Sequence, residues 1–234
     1  MRIALMLGSA PNALQARDWA RAPFDHIVAI NNAWRIRDDW DDLCCPWDFP
    51  QDRRPVPGAT QRLILQEDCV PTQTLYGGVV YAGGTMAFTT AYWMLAALKP
   101  DVLAVLGCDM HYPAQGQTHF YGTGTADPLR PDITLRSLES KSARLMILAA
   151  QQGCAMVNLS TGPSRLVFPR ATPAHLAATR PAPFDQTLTQ AALDREAELG
   201  YQVASGRYWE ESHRFDVTEI DQLDALWLRA AKVA

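Results

Sequence analysis

Apolar residues fall in short unbroken runs through the first 160 positions, and each run stops at a polar or glycine-containing turn. "RIALMLG" (residues 2–8) and "HIVAINNAW" (26–34) open the series, followed by "RLILQ", "GVVYAG", "DVLAVLG" (101–107) and "CAMVNLS" (154–160). Continuous apolar runs of this length suit strands buried on both faces, as in a parallel sheet. Between them lie helical stretches. "SAPNALQARDWA" follows the first run, with Asn12 or Ser9 placed to start a helix, and Asn31 and Asn32 are placed to cap the next. "GGTMAFTTAYWMLAALKP" is apolar almost all round, which predicts a central helix ending before Pro100. "TLRSLESKSARLMILAAQQG" is amphipathic and ends at Gly153.

Alternation of this kind predicts an α/β fold, a Rossmann-like, doubly wound and mostly parallel sheet over residues 1–168. Beyond that point the pattern changes. "FPRATPAHLAATRPAPFDQ" is rich in Pro and Ala and reads as a linker or wrapping segment. "TLTQAALDREAELGY" and "VTEIDQLDALWLRAAKVA" are helical, the second with Thr218 and Asp221 as candidate caps. Residues 169–234 therefore form a C-terminal helical extension packed on the sheet domain, as a cover for the site or as a surface for self-association.

Composition changes little in this picture. With 234 residues and 48% hydrophobic side chains, the chain can bury a core without disulfides or metals. The net charge of −4 disfavours general nucleic-acid binding. Five scattered cysteines without a CxxC pair fit a reducing compartment. The N-terminal run is too short for a signal-peptide core, and no run reaches a membrane span of roughly 18 residues. The expected location is cytoplasmic, with peripheral membrane association left open.

The polar residues collect where a parallel sheet places its ligands, beyond the carboxyl ends of the strands. Gly8, Ser9 and Asn12 follow the first strand and Asn31 and Asn32 the second; Gly107, Cys108 and Asp109 follow a later one, and Asn158 and Ser160 the last. Gly83, Gly84 and Thr85 open the central helix, whose free N–H groups suit an anion. "GSAPN" lacks the GxGxxG fingerprint and the Walker lysine, and no Lys or Arg stands near it in the sequence. "GTGT" (122–125) imitates a glycine-rich motif but follows no strand and opens no helix. Asp109, His111 and His119 have metal-ligand chemistry, without the spacing of a structural zinc site. The alternative roles are a general base for a His and hydrogen bonding to phosphate for His119 and Tyr121. An ordered loop with surface His residues is the plainer reading.

Taken in order, these segments resemble a known family. "GSAPNAL" resembles the G-x-G-P-S-L start of the bacterial sialyltransferases of glycosyltransferase family 42, and "VAINNAW" their second strand with its phosphate-side Asn, here Asn31. "GGTMAFTTAYWMLAALKPDVLAVLGCDMHY" resembles their helix, strand and Gly-x-Asp turn, and "MVNLSTGPSRLVFP" their closing strand. The layout is shared with motility accessory factor and 6-hydroxymethylpterin pyrophosphokinase-like proteins, and it covers residues 1–168. The resemblance implies a CMP-activated sugar as donor, a cell-surface glycan as acceptor and no required metal cofactor. It places Gly8, Ser9, Asn12 and Asn31 at phosphate and ribose, Gly83, Gly84 and Thr85 at the helix start, and Asn158, Ser160 and Ser164 on the base side. Asp109 would orient a hydroxyl. The family's base is a His ahead of the helix leading to the last strand, and "DITLRSLESK" contains none. His119 is the substitute expected here, with His111 and Asp132 as the other candidates and Tyr121 (Tyr112 second) as phosphate donor. Two rival expectations are a Mg²⁺-dependent phosphoryl transferase using Asp109 and Asp127, and a nucleotide-binding protein without turnover.

Overall fold

The computed structural model describes residues 1–232. Six strands, β1 (Ile3–Leu7), β2 (His26–Ile30), β3 (Asp42–Cys44), β4 (Arg62–Ile64), β5 (Val102–Leu106) and β6 (Ala155–Asn158), form one sheet. All pairings are parallel, in the order β4-β3-β2-β1-β5-β6. Six α-helices accompany them: α1 (Gln66–Leu75), α2 (Val79–Ala82), α3 (Met86–Ala97), α4 (Leu138–Gln151), α5 (Gln186–Leu199) and α6 (Val217–Ala230). This is the expected doubly wound α/β architecture with C-terminal helices.

The two-residue period of each strand divides its side chains between two cores. Ala4, Met6, Val28, Ile30 and Val105 face the side where α-helical residues such as Trp93, Leu145 and Trp227 pack. Ile3, Leu5, Leu7, Ala29 and Leu106 face the other, closed by short 3₁₀ segments through Ala13, Ala33 and Leu176. Because both faces are covered, the strands read as solid apolar runs.

Four local expectations are corrected. "GVVYAG" is not a strand. Gly78 and Gly83 sit at φ 90° and 95°, and Val79–Ala82 between them makes the single turn α2. The segment after β1 is a 3₁₀ helix, Pro11–Asp18, which starts beyond Ala10 with no side-chain cap, so neither Ser9 nor Asn12 caps it. Asn31 and Asn32 lie inside the 3₁₀ turn Asn31–Arg35 instead of capping it. At α6 the cap is Asp216, which accepts from Thr218 N at 2.7 Å, while Asp221 pairs with Arg136 at 2.6 Å.

One strand, β3, has no counterpart among the apolar runs. It opens with Asp42, a fully buried carboxylate held by His26 Nε2 at 2.6 Å and by Arg62 Nε at 2.8 Å. His26, Asp42 and Arg62 are the first residues of three neighbouring strands, so this polar clasp ties the end of the sheet opposite the cleft.

The extension wraps the sheet. Asn158 N donates to Pro169 O and Ala171 N to Asn158 O, so the chain runs along the β6 edge. Leu176 then enters one core, and α5 and α6 cross to the other. They are fixed there by buried ion pairs. Arg144 of α4 meets Glu196 of α5 through two bonds of 2.7 Å and donates to Tyr92 Oη at 2.7 Å, and Trp227 Nε1 donates to Glu196 at 2.9 Å. Lys141 reaches Asp224 of α6 at 3.0 Å.

Candidate functional site

A cleft of about 1230 Å³ opens beyond the carboxyl ends of the strands. Its floor lies at the topological switch point, where β1 and β5 leave the sheet side by side. Gly8 N donates to Leu106 O at 2.8 Å and Ala10 N to Gly107 O at 3.0 Å, so the two turns lie on one another. A Cβ on Gly8 would stand 2.3 Å from Gly107 O, which explains the glycine by close backbone approach alone.

The predicted residues divide into two groups. Gly8, Ser9, Asn31, Gly84, Thr85, His119 and Tyr121 line the cleft. Asn12, Asp109, Asn158, Ser160 and Ser164 face one another behind it. Asp109 accepts from Asn12 Nδ2 at 2.9 Å, from Ser160 Oγ, and from Asn158 Nδ2 at 3.1 Å; Asn158 also donates to Ser164 Oγ at 3.0 Å. Asp109, Asn158 and Ser160 are buried, and their network binds the turns after β1, β5 and β6 into one rigid floor. Gly83 does neither: a Cβ there would stand 2.7 Å from the Phe88 ring and 3.2 Å from the Lys141 side chain.

Several features of the cleft lack an internal explanation. Asn31 at φ 52°, directly after β2, and Met110 at φ 50°, in the loop after β5, hold left-handed backbone, which Asn tolerates and which is costly for Met110. Among the described residues, the buried Oδ1 atoms of Asn31 and Asn32 accept no hydrogen bond. An orphaned buried acceptor costs about 1–3 kcal/mol, a deficit that a ligand hydroxyl or amino group removes.

The start of α3 turns backbone N–H groups toward the cleft, the anion cradle expected from the sequence. Thr85 Oγ1 accepts from Phe88 N at 3.1 Å, and Met86 and Ala87, whose N–H groups precede the helical ladder, line the cleft. A cation stands beside them. Arg130 Nη2 donates to Gly84 O at 3.3 Å and to Tyr208 Oη at 3.4 Å. Its Nε pairs with Asp132 at 3.3 Å, and Tyr208 donates to the same carboxylate oxygen at 2.5 Å. Burial alone would raise the Asp132 pKa, yet bonds from Thr134 and Tyr208 and the charge of Arg130 hold it below the usual carboxylate range. Arg35 and Arg53 also line the cleft. Arg130 lies 46 residues from Gly84 in the chain and only folding joins them.

His119 sits in the same cleft with Nδ1 held by its neighbour Thr118. Thr118 Oγ1 lies 2.9 Å from Nδ1, accepts from Gly124 N at 2.8 Å and is placed to donate to Gly124 O at 3.2 Å. With the hydroxyl proton on Gly124 O, Nδ1 carries the imidazole proton and Nε2 keeps its lone pair; with the hydroxyl proton directed at Nδ1 instead, the tautomer is the reverse. Tyr121 stacks on the ring at 5.0 Å between centroids, and Tyr112 lies 6.0 Å away. Burial pushes the His119 pKa below its ordinary value. Burial also raises Tyr112, which keeps its phenol proton. Gly124, the third residue of "GTGT", packs on His119; a Cβ there would stand 2.8 Å from Nδ1. The motif's role here is to seat an imidazole.

The extension supplies part of the wall, because Gly206, Tyr208 and Trp209 line the cleft. No protein-family model, curated protein or solved structure matches the chain. Among the described residues, no helix is long and apolar enough to cross a membrane.

Proposed function

We propose that the protein is a sialyltransferase-like glycosyltransferase that moves a sugar from a CMP donor to a glycan hydroxyl. The observation that carries this reading is the sharing of one cleft by the free N–H groups at the start of α3 and an imidazole held by Thr118. The donor phosphate lies at the start of α3 beside Arg130, where positive charge and free N–H groups favour it. His119 Nε2 takes the proton of the acceptor hydroxyl as its oxygen bonds to the anomeric carbon. The bond from that carbon to the phosphate oxygen breaks, its electron pair leaves with CMP, and the configuration inverts. Tyr121, with Tyr112, donates to the departing phosphate. Asp109 serves indirectly, by holding the floor. No metal enters any of these steps.

The test is release of CMP from CMP-N-acetylneuraminic acid in EDTA, with and without a glycan acceptor. Acceptor-dependent release that is lost in His119→Ala, with CMP binding kept, is the expected result. Release indifferent to His119 overturns the assigned base. A second reading, nucleotide binding without turnover, draws on the missing His in "DITLRSLESK"; it predicts CMP binding with no release from any donor. The Mg²⁺-dependent alternative needs Asp109 and Asp127 on one ion. Asp127 lines the cleft, whereas Asp109 is engaged by Asn12, Ser160 and Asn158 behind it.

A further inference from the structure

The chain contains seven tryptophans, and those at 40, 93 and 227 are buried while those at 19 and 34 are half-buried. Only Trp47 and Trp209 are exposed, at 68% and 55% of their surface, and both line the cleft. They reach it from opposite parts of the chain. Trp47 follows β3, and Trp209 belongs to the 3₁₀ segment Tyr208–Arg214 of the extension. Trp209 meets Tyr208 edge to face at 5.5 Å between centroids, which fixes it beside the Arg130–Asp132 pair.

Two large indoles left in water at the lip of one cleft are not accounted for by the core. A cleft of about 1230 Å³ also exceeds the roughly 300–1,000 Å³ of an ordinary small-ligand pocket. It has room for a donor and a second molecule. We infer that Trp47 and Trp209 form a stacking platform for the acceptor, a glycan whose pyranose rings present an apolar face of C–H bonds. This inference rests on the transferase reading above.

The chemistry favours a sugar over a nucleobase at this place. The orphaned acceptors of Asn31 and Asn32 and the anion cradle lie at the strand ends and the α3 start, where a nucleotide finds partners for its polar groups. The indoles stand at the solvent edge, where an oligosaccharide keeps its hydroxyls hydrated while its apolar face covers the rings. Asp48 and Asp127 line the same cleft and offer carboxylate acceptors for sugar hydroxyls. An acceptor glycan must also continue out of the site, which an open lip permits.

The test is a glycan microarray probed with the full-length protein, with thermal shift by CMP as a separate readout of the donor side. Wild type binds at least one oligosaccharide; Trp47→Ala and Trp209→Ala each weaken its titrated affinity about tenfold, equivalent to ~1.4 kcal/mol, and Trp209→Phe restores most of it. Leu75→Ala, an exposed apolar residue outside the cleft, is the control and leaves glycan binding unchanged. Glycan binding that persists in the Trp47→Ala/Trp209→Ala double variant overturns the platform. So does a CMP shift with no glycan bound by wild type, although the donor reading then survives. Glycan binding that depends on both indoles with no CMP shift retains the platform and overturns the CMP donor.

Discussion

At the scale of single residues, the proposed transfer turns on His119. Its depressed pKa means that the neutral, proton-accepting form persists below the ordinary histidine value of 6.5. The acid limb of the kcat/KM profile should therefore fall below pH 6.5, and a limb above it contradicts a buried neutral base. Gly124 gives a sharper check on geometry. An alanine methyl 2.8 Å from Nδ1 and 2.9 Å from Cε1 must displace the ring from Thr118. Gly124→Ala should cut turnover at least about tenfold, ~1.4 kcal/mol of transition-state stabilisation, while the melting temperature moves little. Unchanged turnover in this variant would separate the Thr118–His119 contact from catalysis. The sequence shows Gly8, Asn31 and His119 as strand-end and loop residues of the right chemistry. It does not show which polar side chains turn inward, so Asp109 and Asn158 look like ligand groups and prove to satisfy one another. Nor does it show Arg130, whose importance depends on a contact across 46 residues.

At the scale of elements, legibility follows burial. β1, β2, β5 and β6 are fully apolar or nearly so, and their runs and ends are plain in the sequence. β3 escapes notice because it spans three residues and begins with an aspartate that only the His26–Arg62 clasp makes tolerable in a sheet. α2 misleads in the opposite direction. "VVYA" has strand-like side chains, and the two positive-φ glycines beside it force a turn. The cap of α6 is a matter of three residues, and Asp216 holds it through Thr218 N. Asp216→Ala should lower stability by about 1 kcal/mol in chemical denaturation. Asp221→Ala, which removes only an exposed pair with Arg136, should cost less than about 1 kcal/mol. The reverse order would place the cap elsewhere.

For the whole molecule, the boundary near residue 168 marks a change of composition more than a separable part. Glu196 of α5 compensates the buried Arg144 and accepts from Trp227, so the extension completes the core beneath α3 and α4. Glu196→Ala leaves that guanidinium buried without its carboxylate and should cost about 3–5 kcal/mol in urea unfolding. A loss under about 1 kcal/mol would mean that the Arg144–Glu196 pair does little to hold the extension. Tyr208 and Trp209 carry the same extension into the cleft wall, which joins folding of the tail to completion of the site. The central claim, a nucleotide held at the α3 start beside Arg130, is tested most directly by calorimetric titration of CMP in EDTA. Wild type and His119→Ala should both bind CMP, and Arg130→Ala should bind it about tenfold or more weakly, a loss of ~1.4 kcal/mol. No heat of binding from folded wild-type protein, or equal affinity in Arg130→Ala, would contradict it.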